Sequence, residues 1–136
     1  MNVLTTLRRE QERIMALSRA LHYLIETSED KRQHRAKALL ESGAVLNRAL
    51  GDRAVTGTVK SSSQGRYAVR IEFRSRGSIQ TASSDCTCRD ARNRVCKHAI
   101  ALAAEQLLAL RDRWTELEKA ATVIENINSE KSQCCA

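Results

Sequence analysis

The chain predicts an α+β fold in which helices at the two ends enclose a three-stranded antiparallel meander. A Cys- and His-rich knuckle leads from the last strand into a long C-terminal helix. Three observations carry this prediction. Apolar residues recur at three-four spacing near both ends, and β-branched residues alternate through the middle between Ser- and Gly-containing breaks. Between them, three of the five cysteines crowd beside one of the three histidines.

At the N-terminal end, Val3, Leu7, Ile14, Leu17, Leu21 and Leu24 keep the helical spacing, interrupted at Glu10 and Gln11, and predict an amphipathic helix over about residues 2–26. Thr27-Ser28-Glu29-Asp30 reads as a break, with Ser28 as N-cap of a second helix through about Ser42 and Gly43 as its stop signal. Val55–Lys60, Tyr67–Arg74 and Ser78–Ser83 read as the strands, separated by Ser61-Ser62-Ser63-Gln64-Gly65 and Ser75-Arg76-Gly77. Strand alternation puts Val69, Ile71 and Phe73 on one face and Arg70, Glu72 and Arg74 on the other. From Ile100 the series Ala103, Leu107, Leu110, Trp114, Leu117, Ala121 and Ile124 predicts a helix to about residue 127. Its seam serves either the N-terminal helix of the same chain or a coiled-coil partner or homodimer. The second use is preferred, because the seam outlasts any core that a chain of this size forms. The single Trp, single Phe and two Tyr leave the core mainly aliphatic. Metal binding is therefore expected to contribute part of the folding free energy.

Cys86, Cys88, Cys96 and His98 form a C-x-C-x7-C-x-H cluster. Three thiolates and an imidazole complete a tetrahedral shell for structural zinc, with no position left open for catalysis. The spacing asks for a tight turn around Cys86 and Cys88, for which Ser83-Ser84-Asp85 and Thr87 are suitable. Residues i and i+2 do not share a helix face, so Cys96 belongs just before the last helix and His98 in its first turn. There the helix dipole favours a Cys96 thiolate. An iron–sulfur cluster and metal-free cysteines are the rival readings; a Cys86–Cys88 disulfide would close a very small ring.

On these residues the chain resembles the SWIM zinc-finger family. The resemblance runs from about Ala36 to Gln106: a helix ending in Ala38-Leu39-Leu40-Glu41-Ser42-Gly43, a strand pair around Tyr67-Ala68-Val69, Cys86-Thr87-Cys88, then Cys96-Lys97-His98 entering an Ala/Leu helix. Arg89 stands near where many members carry Pro. The resemblance implies one structural Zn2+ per chain on Cys86, Cys88, Cys96 and His98. It divides the chain into a helical extension over 1–35, the zinc module over 36–106, a helix extension over 107–128 and a disordered tail over 129–136. It implies two function classes. One is DNA binding, as in SWIM domains beside transposases and chromatin remodellers. The other is a protein-interaction adaptor, as in the small SWIM proteins that pair with recombinase paralogues in homologous recombination.

The charge pattern bears on that choice. Ten basic and three acidic residues lie between Arg53 and Lys97, so this segment holds an excess equal to the whole net charge of +7. Arg89, Arg92, Arg94 and Lys97 stand close enough in sequence to offset a zinc–thiolate shell of about −1. Arg66, Arg70, Arg74 and Arg76 belong to the hairpin instead, and predict non-specific phosphate contacts. Sequence-specific readout is not expected, because the helix after His98 begins with Ala and Leu rather than base-reading side chains. His22 and His34 read as surface or packing residues, and Cys134 and Cys135 as a frayed tail. No nucleophile–base–acid order, Gly-rich phosphate loop or paired carboxylates predict an enzyme or a small-molecule substrate. Thiolates kept for metal, with no membrane span and no signal peptide, place the expected protein inside the cell, in cytoplasm, nucleoid or nucleus.

Overall fold

The computed structural model describes residues 2–61, 65–77, 79–89 and 94–134, with side chains to residue 130. Two helices come first, α1 (Val3–Glu26) and α2 (Asp30–Glu41). Four strands follow, β1 (Val45–Leu50), β2 (Ala54–Lys60), β3 (Arg66–Arg76) and β4 (Ile79–Cys86), and α3 (Lys97–Cys134) ends the chain. The strands form one antiparallel sheet in the order β1-β2-β3-β4. The meander therefore has one strand more than the alternation predicts. β1 escapes that pattern because its register shifts between Leu46 and Ala49, where Asn47 takes a φ of 53°. Such a bulge breaks the period of two, and Asn is one of the few side chains that tolerates the left-handed region.

Local chemistry explains the helix ends. Asn2 caps α1 by accepting the Thr5 N–H at 2.8 Å. Ser28 does not cap α2: its hydroxyl donates backwards to the Ile25 carbonyl and closes the end of α1, so the N-cap position falls to Glu29. Gly43, at φ +69°, ends α2 as expected. Its N–H donates to Leu40 O at 3.1 Å and that of Ala44 to Leu39 O at 3.0 Å, the paired bonds of a Schellman turn.

One face of the sheet is buried. Val55, Val59, Val69, Ile71 and Ala82 pack there against Leu17, Leu21 and Leu24 of α1 and Ala99, Leu102 and Ala103 of α3. Gly57 sits where α3 crosses: a Cβ built on it would lie 2.9 Å from Leu102 Cδ1. α2 closes a second cluster, with Ala36 against Ile100 and Ala101.

The seam of α3 turns inward. Leu110, Leu117 and Ala121 are buried in the same chain, and polar pairs join early α1 to late α3 in antiparallel order. Arg8 bonds Glu118 at 2.8 Å and Glu125 at 2.7 Å, and Arg113 bonds Glu10 at 2.9 Å. Gln11, an interruption in the apolar pattern, is buried and donates to Glu118 at 2.8 Å. This corrects the preference for an outward-facing coiled-coil seam: α1 already occupies it, and polar residues fill the gap in the apolar spacing. α3 also runs to Cys134 rather than ending near 127, so the tail expected to be disordered from 129 is helical that far. Asn, Ser and Lys there carry no apolar period, but neither Gly nor Pro stops the helix.

Candidate metal centre

Strand alternation aims the first ligand. Cys86 ends β4 opposite Val69, a buried residue of β3, so its side chain points to the covered face of the sheet. Ser83, Ser84 and Asp85 are strand residues rather than a turn, and the tight turn begins only after Cys86. Thr87 holds that turn to β3, its N–H donating to Ala68 O at 3.2 Å and its Oγ1 accepting the Ala68 N–H at 3.1 Å. Cys88 follows, buried.

The second pair comes from the start of α3. Cys96 precedes the helix, and its Sγ accepts the Ala99 N–H at 3.4 Å, a thiolate in the role usually taken by a Ser or Asp cap. His98 is buried in the first turn, its ring 4.5 Å from that of Tyr67 and tilted by 32°. The expected placement of both residues holds.

The four donor atoms all lie within 4.8 Å of one another, and Cys86 Sγ is 3.9 Å from His98 Nδ1. Zn–S bonds of about 2.3 Å and Zn–N bonds of about 2.0–2.1 Å imply donor separations of about 3.5–3.8 Å around a tetrahedral ion. A small contraction would therefore close the shell. The electrostatics fit as well. The hydrogen bond from Cys86 pulls the Cys96 thiol down to about 4, assisted by His98 and the Ala99 N–H and opposed by burial. The same bond, with desolvation, pushes the Cys86 thiol up. His98 Nε2 is buried without a partner among the described residues. Sulfur donors sharing a proton beside such a ring suit a divalent cation, which takes thiolates and neutral imidazole. With four protein donors the ion is structural.

Arg32 went unrecognised from sequence. It is buried in α2, its guanidinium donating to Val95 O at 3.1 Å and lying 3.7 Å from Glu29, and so it fixes the backbone immediately before Cys96. Ala36, four residues on and also buried, marks the same helix face and was the available signal.

The basic residues do not form one patch. Arg66, Arg70, Arg74 and Arg76 alternate along the exposed face of β3. At about 3.3 Å per residue, Arg76 lies about 30 Å along the strand from Tyr67 and the metal end. Glu72 lies 3.2 Å from Arg70 and 3.7 Å from Arg74. Arg89 and Arg94 are exposed on the knuckle, with Arg94 3.8 Å from Glu29, and Lys97 is half-buried at the start of α3. Arg92 lies outside the described residues. Tyr67 and Phe73 are spent on the covered side, Tyr67 against His98 and both against the core, so neither is free to stack on a base. His22 and His34 are exposed.

Residues 67–106 match the family model of the SWIM zinc finger, a segment that spans β3, β4, the knuckle and the start of α3. The cluster fits the C-x-C-x7-C-x-H pattern and one structural Zn2+. No curated protein and no solved structure matches the chain.

Proposed function

We propose that this zinc-binding SWIM module is a non-enzymatic accessory protein that binds DNA through phosphate contacts and without sequence preference. The observation that carries this reading is a sheet face left uncovered by the helices. α1 and α3 consume the inner side, while the outer side presents Lys60, Arg66, Arg70, Arg74 and Arg76 at alternating exposed positions of two paired strands. Thr56, Thr58 and Thr81 share that face, so cations and hydroxyl donors stand where a phosphate backbone would meet them. A mobility-shift assay on the zinc-loaded protein across a salt series tests it. Binding should be sequence-independent and fall steeply with salt, and the Arg66→Glu, Arg70→Glu, Arg74→Glu triple variant should lose it with zinc content unchanged. Absence of a shift at low salt overturns direct DNA binding.

The adaptor reading has its own support. A groove of about 620 Å3 opens between the helices, floored by Ile14, Met15, Leu40, Leu107, Leu108 and Trp114. Its apolar lining suits a partner such as the recombinase paralogues that the resemblance implies. On this reading the isolated protein binds DNA weakly. Met15→Asp with Leu108→Asp should then abolish co-elution with such a partner, while retaining zinc and melting temperature.

A further inference from the structure

A second group of cations lies off the sheet face. Arg35 of α2, Lys60 at the end of β2 and Lys97 at the start of α3 come from three separate elements and line one pocket of about 590 Å3. Ser42, Ser61 and Gly43 complete its polar rim, and no Asp or Glu lines it. Among the described residues, none of the three cations is in an ion pair. This contrasts with Arg70 and Arg74, which share Glu72. The cross-strand neighbour of Lys60 is another cation, Arg66. Like charges directly opposite on a sheet are destabilising, and the pocket adds two more beside them.

The end of α2 would repel an anion if its last carbonyls were bare. They are occupied: Leu39 O accepts from Ala44 N–H and from the Ser42 hydroxyl, Leu40 O from Gly43 N–H, and Ala38 O from Ser42 N–H. The Lys60 N–H is bonded to Ala44 O at 2.9 Å, which ties the end of β2 to the chain leaving α2 and fixes the pocket wall. What faces the pocket is therefore concentrated, uncompensated positive charge with hydroxyl groups on a rigid frame, the chemistry that holds a phosphate oxygen.

We infer that this pocket seats a phosphate group, and that on the function proposed above, on which this identification of the ligand rests, the group is a backbone phosphodiester of nucleic acid. The sheet face then carries a strand toward the seat, with Arg66 adjoining both.

The test uses the full zinc-loaded chain. Inorganic phosphate is titrated while the backbone amides of Gly43, Ser61 and Lys97 are followed by NMR, and a fluorescent oligothymidylate is titrated by anisotropy. The variant is Arg35→Gln with Lys60→Gln, which leaves the metal ligands and Lys97 untouched; zinc content and melting temperature report its integrity. The expected result is a phosphate-dependent shift of those amides in the parent and its loss in the variant. Oligonucleotide affinity should drop about tenfold at low salt, with a salt slope shallower by about 2. Phosphate shifts without oligonucleotide binding would support the seat and overturn the DNA reading. Oligonucleotide binding that the variant leaves unchanged, or a parent whose amides ignore phosphate, would overturn the seat.

Discussion

Cys96 has two tasks that reinforce each other. Its sulfur caps the first turn of α3 by taking the Ala99 N–H, and that same bond helps hold the thiol deprotonated for a metal. Elemental analysis should find about one zinc per chain; iron with visible absorbance would sink this assignment. Cys88→Ala or His98→Ala should lose the ion. Acid should release it from the parent, because protons compete for thiolates and imidazole and zinc affinity therefore falls as pH falls. Arg32 acts one step back, through the Val95 carbonyl. Arg32→Leu should weaken zinc binding by about 10–100-fold in a chelator competition while leaving all four ligands in place. An unchanged affinity would reduce Arg32 to a packing residue.

At the scale of elements, the α1–α3 pair carries the clearest stability predictions. Leu117 is 2 % exposed, and Leu117→Ala should cost about 2–5 kcal/mol in denaturant unfolding. Leu110→Asp with Leu117→Asp should unfold the pair, measured by loss of helical dichroism, rather than yield a folded monomer. Glu118 is held below the ordinary carboxylate value of 4.5, first by the Gln11 amide and then by Arg8. A depressed folded pKa contributes stability above the unfolded value and loses it as pH falls through the folded one. Glu118→Gln should accordingly melt below the parent at neutral pH, and the gap should close on acidification. Here the limits of the sequence are physical. Long, periodic α3 and the four ligands were legible because helical spacing and donor chemistry are local. β1 was hidden by the bulge at Asn47, and the role of Ser28 by competition between two helix ends for one hydroxyl. Which surface meets the α3 seam depends on residues about a hundred positions away, which no local period encodes. The burial of Arg32 is hidden for the same reason.

For the whole molecule, the metal and the helical pair stabilise opposite ends of α3. The cluster holds its first turn to β4, while the Arg8–Gln11–Glu118 contacts hold its far half to α1. Chelation of zinc should therefore disorder the sheet edge and knuckle while much of the helical dichroism survives. Hydrogen exchange should resolve this as fast amides around Thr87 and Ala99 beside protected ones around Leu117. Uniform loss of protection would show that the two ends unfold as one unit.

The antiparallel pairing of α1 with α3 has a consequence for biosynthesis. The first helix to leave a ribosome finds its partner only after about a hundred further residues, which at about 5–20 residues per second is roughly 5–20 s. Throughout that interval Ile14, Leu17, Leu21 and Leu24 present a bare apolar stripe, since the residues that cover it from α3 have not been made. The nascent chain thus passes through a stage in which its earliest element is its stickiest, and the finished protein hides all trace of it.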